Sequence, residues 1–171
     1  MEMETILHYF TVYGPLAIYV IVLLEYLNLP GFPAGVIMPL AGVFAARGGI
    51  GFLETMAITI LAGLTGSIVL YAFGRFAGGM LLEKYYKRFT NQQVVIEGKI
   101  EYLKKKGCVG VFISKLMPMV RTLISIPAGV IKMNFKKYCV SSALGVAVWN
   151  FVFVGAGYFL GDSMLGYLQQ M

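Results

Sequence analysis

Three charged residues stand inside apolar sequence, where charge is expensive: Glu25 in VLLEYLNLP, Lys115 in FISKLMP and Arg121 in PMVRTL. An ionisable side chain at the centre of a membrane helix costs about 2.5–3.5 kcal/mol on insertion scales. Such residues mark sites or pathways, with partners inside the helical bundle. Lys115 and Arg121 are six positions apart with Pro118 between them, so a plain helix does not align them. A turn at the proline can aim both at one place. Two fixed cations there suit a phosphate, with arginine as a two-pronged fork and lysine as a point charge. Glu25 can balance them in the empty state or carry a proton. The structural alternatives are a Glu25–Arg121 bridge and a Lys115 side chain reaching for the interface. Arg75, near the end of its own apolar stretch, is a further candidate contact for the same anion, or only an anchor.

The elements that must position these charges are helices in lipid. The chain has 171 residues, of which 58% are hydrophobic and 13% charged, with a mean hydropathy of +0.77. A soluble domain is about 25% charged, so the composition reads as one all-α integral membrane domain. Twenty-one glycines suit close helix packing in a bilayer. The acidic start MEMETILHYF has no basic region or cleavage signal, and is read as mature protein with either a short interfacial helix or a frayed terminus. Four apolar stretches follow. Those at about 14–46 and 108–131 are interrupted by Pro30, Pro33 and Pro39, and by Lys115, Pro118, Arg121 and Pro127. Those at about 52–80 and 138–160 are uninterrupted spans. The clean stretches share Gly-x-Phe-x-Gly (Gly74–Gly78 and Gly157–Gly161), and Phe52 and Phe135 precede them at the same offset. PLAGV at Pro39–Val43 echoes PAGV at Pro127–Val130. Broken segments at matching places in two halves point to a transport site.

Charge sets the expected topology. Lys84, Lys87, Arg88, Lys99 and Lys104–Lys106 fill the polar loop at 84–106, which the positive-inside rule places in the cytoplasm. Lys132, Lys136 and Lys137 join them only if the third stretch enters and turns back. The expected architecture is therefore two inverted repeats, each a reentrant helical hairpin followed by a transmembrane helix. Residues 1–83 form the first half, 84–106 a basic cytoplasmic loop, and 107–171 the second half. Glu2, Glu4 and Asp162 would lie on the opposite side. Broken backbone at membrane depth must be packed in protein or line a wet cavity, and a cavity is expected between the hairpin tips. The basic loop suits anionic inner-leaflet lipid, not nucleic acid.

Three runs carry a family resemblance: EYLNLPGFPAGVIMPLAG (Glu25–Gly42), GLTGSIVLYAFGRFAG (Gly63–Gly78) and FISKLMPMVRTLISIPAG (Phe112–Gly129). With the tail WNFVFVGAGYFLG (Trp149–Gly161), they resemble the DedA family, whose domain is also called VTT. The resemblance implies inverted reentrant hairpins and translocation of phospholipids or polyprenyl phosphates in a bacterial cytoplasmic membrane. It implies no cofactor, although some members couple to a proton or sodium gradient; a homodimer is a further expectation. Glu25 matches the family's first acidic position and Arg121 its second arginine. Lys115 departs from the usual arginine, and Gly35 stands where a second acidic residue is common. With that carboxylate missing, a scramblase or ion-independent uniporter gains weight.

The leading reading is a translocase for a phosphate-bearing lipid, foremost undecaprenyl phosphate, held by Arg121 and Lys115 and gated by Glu25, with Pro118 and Arg75 completing the site. A bare monoester matches two cations and one acid better than zwitterionic phosphatidylethanolamine, which is the alternative substrate. A lipid phosphatase is disfavoured because the sequence has a single histidine, His8, and no metal-ligand cluster. A non-transporting assembly protein is the remaining class.

Overall fold

Apolar sequence in lipid must satisfy its backbone internally, and every regular element among the described residues is helical. The computed structural model describes residues 2–27, 36–88, 90–118 and 120–169, with side chains over 13–27, 36–78, 98, 100–118 and 120–161. Pro30, Pro33 and Gly35 lie outside the described residues. So do the side chains of Glu2, Glu4, His8, Lys84, Lys87, Arg88, Lys99 and Asp162.

The helices run α1 (Glu2–Tyr26), α2 (Ile37–Arg47), α3 (Phe52–Arg88), α4 (Thr90–Lys115), α5 (Ser125–Val130) and α6 (Phe135–Gln169). Two apolar segments, Phe52–Gly78 and Phe135–Gly161, are each 27 residues; at about 1.5 Å per residue they exceed a bilayer core of about 30 Å. Helix α2, at 11 residues, is too short for that. Two expectations change. The interfacial helix is continuous with α1, because Pro15 removes one ladder bond without ending the helix. The basic loop is helical on both sides of residue 89. Its Lys, Glu and Gln are good helix formers, and Glu101 pairs with Lys105 one turn on, at 2.8 Å.

The chain divides into two units, Met1–Gly63 with Ala147–Met171, and Leu64–Val146. In the first, the chain doubles back, so that a β-carbon added at Gly14 would lie 3.2 Å from Ile50 Cδ1 and 3.7 Å from the Phe44 ring. Helix α2 presses directly on α6. A β-carbon at Gly42 would lie 2.2 Å from the Val154 carbonyl oxygen and 2.7 Å from the Tyr158 nitrogen. The ring of Phe52 sits among Phe151, Tyr158 and Phe159, centroids 6.1, 5.3 and 4.9 Å away. The buried Tyr26 hydroxyl donates to Asn150 Oδ1 at 3.2 Å, tying α1 to α6. Tyr26→Phe is expected to cost about 1–2 kcal/mol, the penalty for stranding a buried acceptor. Thermal unfolding in detergent checks this, and adding Asn150→Ala should lower stability little further, since both changes remove one bond.

In the second unit, Tyr71, Leu103, Val111, Ile124, Ala128 and Tyr138 form a buried cluster. Gly107 (φ 55°, ψ −130°) kinks α4 between residues 106 and 108, a conformation that a side chain would strain. Short α5 presses on α3 as α2 presses on α6. A β-carbon at Gly129 would lie 2.1 Å from the Tyr71 carbonyl oxygen and 2.7 Å from the Arg75 nitrogen.

Helices α2 and α5 also end alike. The Ile50 N–H reaches the Ala45 carbonyl at 2.9 Å and Gly49 that of Ala46 at 3.3 Å; Met133 reaches Ala128 at 3.1 Å and Lys132 reaches Gly129 at 2.9 Å. Both are Schellman caps around a left-handed residue, Gly49 (φ 71°) and Lys132 (φ 51°). In each unit a tyrosine hydroxyl donates to the carbonyl just past the cap: Tyr158 to Ile50 at 3.0 Å, and Tyr71 to Met133. Each long helix then starts three residues after the left-handed one, at Phe52 and Phe135.

Candidate functional site

Lys115 ends α4 and is 1% exposed, so its ammonium must find partners inside the protein. It donates to Ser67 Oγ of α3 at 2.7 Å and to Ser125 Oγ of α5 at 3.1 Å. It does not reach out to the interface. Its stem lies against Gly145 of α6, where a β-carbon would come 2.5 Å from Lys115 Cβ and 3.1 Å from Cγ. The absence of a side chain at that point leaves room for the lysine. The Tyr138 hydroxyl donates to the Ser67 carbonyl at 2.9 Å and faces the Ser67, Ser125 and Ser142 hydroxyls. Its ring stacks on Tyr71 with centroids 4.4 Å apart. Four helices thus fix one ammonium.

Arg121 is 0% exposed and close enough to Lys115 for the two cations to repel. The turn between α4 and α5 accounts for this proximity. Val120 and Arg121 N–H groups both donate to the Met117 carbonyl, at 3.1 and 2.9 Å. Pro118 follows that acceptor, where its fixed φ suits a tight turn and its missing N–H costs nothing. Pro118 itself is exposed, so it shapes the turn whose far end carries the arginine. Two like charges held together inside one unit can bind an anion, since a negative group offsets both the repulsion and the desolvation.

Arg75 is exposed and donates to the Tyr71 hydroxyl at 2.8 Å, while that hydroxyl donates to the Met133 carbonyl. It is tied to the turn after α5. Glu25 belongs to the other unit, where it is 1% exposed in the last turn of α1, beside the buried Tyr26–Asn150 pair. Among the described residues no three His, Cys, Asp or Glu side chains gather as a metal site.

Sequence reasoning singled out both cations. It passed over Ser125, Tyr138, Ser142 and Gly145. Serine and glycine are common on packing faces of membrane helices, so only the position of the Lys115 ammonium distinguishes these.

Several known proteins are similar to this chain. Undecaprenyl phosphate transporter A of Bacillus subtilis is 31% identical over 131 residues, 77% of this chain and 66% of that protein. Its namesake in Staphylococcus aureus is 30% identical over 165 residues, 94% of this chain and 80% of that protein. An alkaline phosphatase-like protein of Lactococcus lactis is 26% identical over 94% of this chain and 77% of its own length. No solved structure matches the chain. Residues 32–159, which include both buried cations and both glycine-packed helix pairs except their outermost glycine, match the VTT domain. This membrane protein belongs to the VTT-domain, or DedA, family.

Proposed function

We propose that the protein translocates a phosphate-bearing lipid between membrane leaflets, with undecaprenyl phosphate as its foremost substrate. The observation that carries the reading is the pair of buried cations, Lys115 and Arg121, fixed in one unit on a broken helical segment. Buried positive charge is costly unless an anion visits it. The two relatives named as undecaprenyl phosphate transporters favour a polyprenyl phosphate as that anion. In this reading the guanidinium of Arg121 grips two phosphate oxygens and Lys115 a third, while the acyl or prenyl tail stays in lipid. Arg75 meets the headgroup on its way in.

The proposed architecture is a pair of inverted repeats with reentrant hairpins, in a bacterial cytoplasmic membrane. Its support is physical. Helix α2, too short to cross, packs back on α1 within the first unit, and the same glycine contacts, left-handed caps and tyrosine bonds recur in the second. Alternating access then follows from movement of one half against the other.

The Lactococcus name favours a phosphatase as a second reading. Hydrolysis through a phosphohistidine needs a catalytic histidine in the site, and the sequence has one histidine, His8, near its N-terminus. The donors around Lys115 are hydroxyls and cations, which bind phosphate without supplying a general base.

The test is purified protein in liposomes, following headgroup movement of undecaprenyl phosphate and phosphatidylethanolamine, with and without a proton gradient. Faster movement of undecaprenyl phosphate than of phosphatidylethanolamine is expected. Movement of neither lipid under any gradient would overturn the translocase reading.

A further inference from the structure

Two apolar spans have ends that meet in the second unit. Arg75, near the end of Phe52–Gly78, donates to the Tyr71 hydroxyl at 2.8 Å, and that hydroxyl donates to the Met133 carbonyl, just before Phe135–Gly161 begins. Leu103 of α4 is buried in one cluster with Tyr71, and Tyr102, Ile131 and Met133 pack against it. The arm of α4 before its Gly107 kink, the turn after α5 and the start of α6 therefore share one end of this unit, where apolar span gives way to headgroups. They bring Lys104, Lys105, Lys106, Lys132, Lys136 and Lys137 there, all exposed. Local structure does not favour the last three. Lys132 holds φ 51°, a left-handed conformation that glycine adopts at less cost, and the matching cap of α2 has Gly49 at that place. Lys136 and Lys137 stand in the first turn of α6, which has no acidic residue and whose positive end disfavours cations. Among the described residues Lys105 alone of the six pairs with a carboxylate, Glu101 at 2.8 Å.

We infer that Lys132, Lys136 and Lys137, with Lys104 and Lys106 of α4, form a docking surface for anionic phospholipid headgroups. Charge gathered from two distant segments, and held in part against backbone preference, calls for a negative partner outside the protein. At the end of an apolar span that partner is the headgroup layer. A zwitterionic headgroup brings an ammonium of its own, which the lysines repel, so the surface selects phosphatidylglycerol over phosphatidylcholine. The basic segment at 84–106 is thus only part of the lipid contact. The other part is the turn between α5 and α6, whose lysines the sequence separates from it by the whole broken stretch. Lys132 is the telling residue, because glycine there would suit the cap better and supply no charge.

The experiment places the purified full chain in nanodiscs of equal phosphatidylglycerol and phosphatidylcholine, and native mass spectrometry counts the lipids each protein retains. Undecaprenyl phosphate is left out, so the result does not depend on the translocation reading. Wild type is expected to retain phosphatidylglycerol in preference. Lys132→Gly should lower that preference about fivefold, and adding Lys136→Gln and Lys137→Gln should bring the two lipids close to equal retention. Added salt should act in the same direction. Thermal unfolding in detergent separates this from damage to the fold. Lys132→Gly should raise the unfolding temperature, because glycine takes the left-handed conformation without strain. Equal retention of both lipids by wild type, or a wild-type preference in the triple variant, would overturn the surface. So would a preference lost only together with thermal stability, since the lysines would then serve the fold alone.

Discussion

Arg121→Ala is expected to slow undecaprenyl phosphate movement by at least about 100-fold while leaving folded, membrane-inserted protein within about twofold of wild type. The size follows from the chemistry lost. A two-pronged guanidinium contributes two charge-assisted bonds of about 1.5–3 kcal/mol each, and each 1.4 kcal/mol is tenfold in a binding or barrier term. The fold is expected to survive because the change also removes a charge that repels Lys115 in the same buried region. Arg121→Lys keeps the charge without the fork and should fall between the two, about tenfold down. Liposome transport is measured on protein first shown monodisperse by gel filtration. The assembly-protein reading makes the opposite forecast, that Arg121→Ala depletes folded protein because the charge only locks the structure. Inactive but folded protein therefore separates the two readings, and a folded Arg121→Ala that transports like wild type would sink the site.

The helical class, the membrane composition and the family were all legible in the residues, because each depends on local pattern: apolar runs, glycine content and a few motifs. Lys115 and Arg121, both buried in the second unit, were visible for the same reason, since they break an apolar run. Their partners were not visible. Ser125 looks like any small polar residue on a helix face, and only the meeting of α3, α4 and α5 brings its hydroxyl to the Lys115 ammonium. The turn proline was found but its part was blurred. Pro118 is exposed and acts through backbone geometry, which sequence does not distinguish from contact. The capping of α2 and α5 was hidden by chemistry that differs while geometry agrees. One left-handed position is Gly49 and the other Lys132, and the tyrosines that bond past each cap stand one helical turn out of register relative to the shared Gly-x-Phe-x-Gly.

Gly74→Ala and Gly157→Ala are each expected to cost about 3 kcal/mol or more and to leave little folded protein, although alanine normally stabilises a helix interior by up to about 1 kcal/mol relative to glycine. The contest is between that propensity gain and a clash with backbone. A β-carbon at Gly74 would lie 2.2 Å from the Ile126 carbonyl oxygen and 3.0 Å from its Cα; at Gly157 it would lie 1.9 Å from the Pro39 carbonyl oxygen and 2.7 Å from its carbon. Backbone inside a helix cannot rotate aside as a side chain does, so the helices must separate. Separation also loses the close packing that joins them, which in lipid has little hydrophobic drive to replace it. Gly78→Ala and Gly161→Ala meet mainly side chains, Val130 Cγ2 at 2.6 Å and Val43 Cγ2 at 2.4 Å, and should cost less because valine can shift. Gly155→Ala is the control: its nearest neighbour is the Phe52 ring at 3.8 Å, so the propensity gain should win or break even. Thermal unfolding and yield in detergent measure all five. Matched losses at Gly74 and Gly157, with Gly155 unaffected, would mean that each short helix, α5 or α2, depends on its long helix in the same way. A large loss at only one of the pair would mean that the two halves share a sequence pattern without sharing its mechanical role.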